Sequence, residues 1–150
     1  MSLRISFRNL LAKCALLYKI QIYEAIEYFS YLSLNTFSLT NIKQGDIEYH
    51  FYRLFNIILD SGYSTSQLFY FIYSSLRNFA ANNNCMVSDK KVYSSIYSNM
   101  LNLWNKAYQE KWDIQKYNRT YGTKPSELFK LVASNLLNIG DDLFYEEYKI

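Results

Sequence analysis

Leu59-Asp60-Ser61-Gly62-Tyr63-Ser64-Thr65-Ser66-Gln67-Leu68-Phe69 closes one helix and opens the next. Gly62 sits just past an apolar-periodic stretch, where a left-handed cap suits a residue without a Cβ. Ser64 and Gln67 have the capping-box spacing. The serine hydroxyl can accept the third amide, and the glutamine can reach back to the serine N–H. Behind this start, Leu68, Phe69, Ile72, Leu76 and Phe79 fall at helical spacing. Ahead of it, Ile47, Phe51, Leu54, Phe55 and Ile58 do the same over 46–60, with Asp46 and Glu48 in a first turn whose dipole favours acids. Two amphipathic helices joined by a tight turn set the class as all-α.

The rest of the chain extends the pattern. Residues 2–32 contain no Pro or Gly, and Leu3, Phe7, Leu10, Leu11, Cys14 and Leu17, then Ile22, Ala25, Ile26, Phe29 and Leu32, repeat helically. One long helix or two consecutive ones fit equally. Residues 35–45 are polar and read as a connection. The third helix stops in Asn82-Asn83-Asn84, since Asn side chains compete for backbone partners. Ser88 reads as an N-cap for a long helix over 89–116, lined by Val92, Ile96, Met100, Leu103, Trp104 and Ala107. Lys124-Pro125 opens another over Leu128, Leu131, Val132, Leu136 and Leu137 to Gly140, and 141–148 reads as a last short helix. The expected architecture is a single-domain, all-α bundle of five or six helices spanning residues 1–150.

Composition says what packs it. Sixteen Tyr and ten Phe share 150 residues with one Pro and four Gly. Burying one aromatic side chain contributes about 1.5–3 kcal/mol. Sixteen tyrosines exceed what one small core needs, so some belong at the surface, where Tyr favours interfaces. Abundant Asn, Ile, Lys, Phe and Tyr with scarce Gly, Ala, Arg and Pro follow AT-rich codons and point to an AT-rich genome. The net charge of +3 is weaker than a dedicated nucleic-acid binder usually carries. No apolar run reaches the roughly 18–20 residues that span a bilayer. Cys14 and Cys85 are too few for a disulfide scaffold and read as free thiols in a reducing compartment, cytoplasm or organelle matrix.

Chemistry-bearing candidates are sparse. His50 is the single histidine, so two-histidine metal motifs are excluded, and its setting among Tyr49, Phe51 and Tyr52 reads as that of a structural or surface histidine. Asp141, Asp142, Glu146 and Glu147 lack the glycine and ligand alternation of a calcium loop and read as a solvated acidic face. Four scattered glycines cannot form a phosphate loop. No catalytic constellation and no cofactor site emerges. Arg4, Arg8, Lys13 and Lys19 form a basic end without an acid, opposite the acidic tail. With Leu3, Phe7, Leu10 and Leu11, this end also resembles a mitochondrial presequence or an interfacial helix, but it reads best as a retained first helix. Trp104 and Trp112, eight residues apart, lie within about 80° of each other around a helix. With Tyr108 between them and Lys106, Lys111, Lys116 and Arg119 interleaved, they form a candidate interaction surface. The plainer reading makes both tryptophans core anchors flanked by solvated lysines, and Glu110 and Asp113 weaken the field.

The stretch 59–78, with Gly62-Tyr63-Ser64 opening a helix, followed by Ser88 and further helices, resembles the helical collar of clamp-loader subunits over about a third of the chain. The resemblance implies an α-helical collar and nucleic-acid-associated machinery. The ATPase parts of that family are absent, and 108–123 is longer than its pattern. Two function classes therefore stand side by side. The first is a non-enzymatic interaction or assembly protein, a subunit of or adaptor for a larger complex, docking a protein partner or a second copy of itself. The second is a helical protein associated with nucleic acid. Far-UV circular dichroism of the purified chain is expected to be helix-dominated, and a sheet-dominated spectrum would reject the bundle outright.

Overall fold

The structure is a computed structural model. It describes residues 3–82, 89–117 and 144, with side chains from residue 15 onward and none at 89. Four α-helices follow in order: α1 (Leu3–Tyr31), α2 (Gln44–Asp60), α3 (Thr65–Asn82) and α4 (Asp89–Glu110). A π-helical turn, Leu32–Thr36, prolongs α1. There is no strand among the described residues. The fifth and sixth expected helices lie outside them, apart from Phe144, which is helical and fully buried against Phe69 at 4.9 Å.

Residues 3–31 form one helix rather than two. Its second half is buried at Ile20, Ile22, Glu24, Ala25, Ile26, Tyr28 and Phe29, positions that point in several directions around the axis. A helix buried on most sides must sit between others. α2 and α3 both pack on it, and α3 and α2 in turn pack on α4. Phe29 meets Phe51 of α2 at 4.9 Å, and Tyr28 stacks on Phe69 of α3 at 3.8 Å. The helix then loosens. The Ser33 hydroxyl donates to the Phe29 carbonyl at 2.8 Å and the Asn35 amide to Tyr31 at 3.1 Å, so side chains compete for carbonyls of the helical ladder. The π turn lies across these positions.

The turn read from the sequence forms as expected. Gly62 adopts φ 104°, and Gly62 N–H reaches the Leu59 carbonyl. Gln67 N–H donates to Ser64 Oγ at 3.2 Å while Gln67 Oε1 accepts Ser64 N–H at 3.0 Å, a closed capping box. The apolar stripes of α2 (Ile47 to Ile58) and α3 (Leu68 to Phe79) are buried throughout. α2 begins at Gln44, two residues before the expected Asp46. Its N-cap residue, Lys43, has no side-chain cap. The Lys43 backbone N–H donates instead to the Tyr93 phenol of α4 at 3.1 Å.

The α4 boundary corrects the sequence reading. The apolar spacing predicts helix to Lys116, and the helix instead ends at Glu110. Lys111 turns left-handed at φ 53°, and Trp112 N–H bonds the Ala107 carbonyl at 3.0 Å, the six-to-one bond of a Schellman ending. No glycine or proline marks this stop. Tertiary hydrogen bonds hold the segment that leaves the helix. Ser66 Oγ donates to the Tyr117 carbonyl at 2.6 Å, Tyr117 N–H to the Ser66 carbonyl at 3.3 Å, and Gln67 Nε2 to the Ile114 carbonyl at 3.3 Å. The start of α3 thus clamps the exit of α4. Glycine poverty is felt here, because Ser38 and Lys111 hold left-handed positions that a Cβ disfavours. Lys111→Gly is expected to raise stability by about 0.5–1 kcal/mol, read as an upward shift of the urea midpoint at unchanged slope.

Candidate functional site

α2 and α4 run parallel, and the pairings show it in sequence. Tyr93 donates to the Asp46 carboxylate at 3.0 Å, Phe51 meets Tyr97 at 5.8 Å, and the Trp104 indole N–H donates to Ser61 Oγ at 3.0 Å. Between them lies a groove of about 810 Å³, lined by Asp46, Tyr49, His50 and Arg53 on one bank and Lys90, Tyr93, Ser94, Tyr97 and Ser98 on the other. The spacings are three, four and seven on both banks, so each is one stripe of a helix. Helical continuation carries the stripes to Ile57 on α2 and to Leu101, Trp104 and Tyr108 on α4.

The groove is built on Tyr93. Its ring is buried, its phenol fixes the start of α2, and its face stacks on the exposed His50 ring at 4.8 Å with 21° between planes. Tyr49 stands edge-on to His50 at 5.0 Å and is 84% exposed. His50 shares the groove with a single acid, Asp46, whose carboxylate takes the Tyr93 phenol. Arg53 and Lys90 are exposed, and neither has an ion-pair partner among the described residues. The chemistry on offer is recognition: two guanidinium or ammonium donors, two serine hydroxyls and an exposed ring over a stacked imidazole.

The candidate surface read from the sequence is split by the early end of α4. Trp104 and Tyr108 remain on one helix face and stack at 5.8 Å. Trp104 is half-buried, anchored to the α2–α3 turn, and Tyr108 is 54% exposed. Trp112 lies beyond the helix, half-buried, with its N–H on the Glu110 carboxylate at 2.6 Å and Lys106 Nζ 5.6 Å over its ring. The indole therefore takes a cation from its own chain. It does not extend the Trp104–Tyr108 face as a helical neighbour would. Lys111 and Lys116 are exposed on the segment that leaves α4, and Arg119 lies outside the described residues. Of the basic end, Lys19 is exposed, while the side chains of Arg4, Arg8 and Lys13 lie outside the described set.

Most of the tyrosine excess is absorbed by ring contacts. Tyr117 is edge-on to Tyr70 and Tyr73 at 5.7 and 5.6 Å, Tyr70 and Tyr63 both reach Phe71, and Tyr73 reaches Phe37. Tyr28 and Tyr93 are buried, and Tyr49 and Tyr108 are the exposed pair among the described tyrosines. Nothing in the sequence singles out Tyr49, Arg53, Lys90 or Ser94. Their stripes are visible as helical spacing, but that the two stripes face each other is not. No helix among the described residues is long and apolar enough to cross a membrane, and no cluster of three or more His, Cys, Asp or Glu side chains gathers there. Compared with family models, curated proteins and solved structures, the chain matched none. The collar resemblance therefore rests on Gly62-Tyr63-Ser64 and the order of the helices alone.

Three phenols are held above their ordinary range. The Tyr23 hydroxyl donates to Glu48 at 2.8 Å, and that bond is the largest cause at that site. Burial raises Tyr63, with Tyr108 adding, and burial raises Tyr117, with Tyr70 and Tyr73 adding and Arg77 opposing. Each group keeps its proton longer in the folded chain than in the unfolded one. The stabilisation is complete below the ordinary tyrosine value of about 10 and is lost as pH rises through the raised folded values. Urea midpoints are therefore expected to fall above about pH 10, and a Tyr23→Phe/Tyr117→Phe variant should flatten that fall.

Proposed function

We infer that the protein is a non-enzymatic helical interaction or assembly protein, a subunit or adaptor that docks another protein along the face formed by α2 and α4. One observation carries this reading. Of the four large apolar side chains exposed among the described residues, Tyr49 lines the groove, Ile57 and Tyr108 lie further along the helical stripes that form its two banks, and Leu34 stands apart in the π turn. Scattered exposed apolar groups need no explanation, whereas apolar groups gathered beside a groove with polar edges mark contact surfaces. Tyrosine suits such a place, since it offers a broad apolar body with little conformational entropy to lose.

The groove's pairing of banks also supports recognition over turnover. The protein's one histidine is stacked on a tyrosine there, and Asp46, the acid lining the cavity, is occupied by a phenol. The test is the native complex. The protein purified from its source is expected to migrate with a companion chain, and Tyr49→Ala/Tyr108→Ala should weaken that association at least tenfold, about 1.4 kcal/mol. A native protein that migrates alone as a monomer would reject the reading.

A further inference from the structure

The groove is not uniform along its length, and this asymmetry specifies its occupant. Both helices begin at the same end. The starting half holds Lys90 in the first turn of α4 and Arg53 at the middle of α2, both exposed without ion-pair partners among the described residues, with Tyr49 and His50 in the same lining and Asp46 taken up by the Tyr93 phenol. The parallel helix starts add partial positive charge to the same end. The other end reverses both properties. The stripes there present Ile57, Leu101, Trp104 and Tyr108, with the exposed carboxylate of Asp60 on α2 and the carbonyl ends of both helices.

A polynucleotide carries a charge on every phosphate and needs cations along its whole track. This groove offers cations in its starting half and meets a polynucleotide with an acid and apolar side chains in the other. We propose that the groove receives an amphipathic segment of a partner protein, with Asp or Glu residues in the half over Lys90 and Arg53, and Leu, Ile or aromatic residues in the half over Ile57, Leu101 and Tyr108. The proposal rests on the assembly function inferred for the chain and assigns it a site and a partner chemistry. Helix-in-groove docking supplies affinity through apolar anchors, and the charged end fixes direction. The banks from Asp46 to Ser61 extend about 22 Å, which a helix of about 16 residues covers.

The test is selection from a phage-displayed library of random peptides of about 16 residues, with the whole chain as bait. Enriched sequences should carry acidic residues clustered toward one end and apolar residues toward the other. R53E/K90E, checked as folded by circular dichroism, should reverse the charge preference of the enriched set and weaken a wild-type-selected peptide at least tenfold. Ile57→Ser/Tyr108→Ala should weaken the same peptide and leave its charge preference unchanged. Enrichment of basic or charge-neutral peptides, no enrichment at all, or a charge preference untouched by R53E/K90E would overturn the proposal. So would tighter binding of a single-stranded oligothymidylate than of any selected peptide. The two readings fail separately. A native companion still bound by R53E/K90E leaves the assembly reading standing and removes this site, whereas acid-biased peptides selected by a protein that is solitary in its source keep the site and remove the assembly.

Discussion

The second half of α1 is buried at positions pointing in several directions around the helix, and the rest of the described structure is an answer to that demand. One neighbouring helix cannot cover Ile20, Ile22, Ala25, Ile26, Tyr28 and Phe29 together. α2 covers part through Phe51, and α3 covers part through Phe69. Once both lie on α1, their remaining apolar stripes are completed by α4, whose Val92, Ile96, Met100 and Ala107 are buried. Aromatic rings do much of this work because a flat ring fills a gap between two helices and still tolerates several packing angles.

Placing α2 beside α4 has a consequence that neither helix carries alone. Both begin at one end of the molecule, and their polar-to-apolar edges meet as facing banks. Tyr93 locks the starting end by bonding to the N-cap backbone and to Asp46, and Trp104 locks the opposite end by bonding to Ser61. With the ends fixed, the groove between them has a defined shape. Its exposed members, Tyr49, Arg53 and Lys90, do not contribute to that locking. The division of labour is physical. Buried or half-buried side chains hold the banks, and these three remain exposed.

The clamp between α3 and the exit of α4 shows how local and tertiary forces share one ending. The capping box of α3 satisfies its own first amides through Ser64 and Gln67. Ser66 and the Gln67 amide nitrogen are left to bind carbonyls of the segment leaving α4. That segment accepts a left-handed lysine to make the turn, a strain of about 1–2 kcal/mol, offset by hydrogen bonds and by the packing of Tyr117 on Tyr70 and Tyr73.

The sequence by itself determined the helical class, the stripes of α2 and α3, the Gly62 turn and the Ser64–Gln67 cap, because these are local. Spacing, a missing Cβ and a side chain reaching its own backbone act within a few residues. The tertiary structure alone decided three things. The unbroken α1 became the shared core element because two partners covered it. α4 stopped at Glu110, where the sequence shows no breaker and predicts helix to Lys116, and α3 supplies hydrogen bonds to the segment that leaves it. The Trp104–Tyr108–Trp112 line is divided because Trp112 falls beyond the helix, and α2 and α4 face each other across a groove. Its two banks come from residues more than forty positions apart, and no local pattern records which helix will lie beside which.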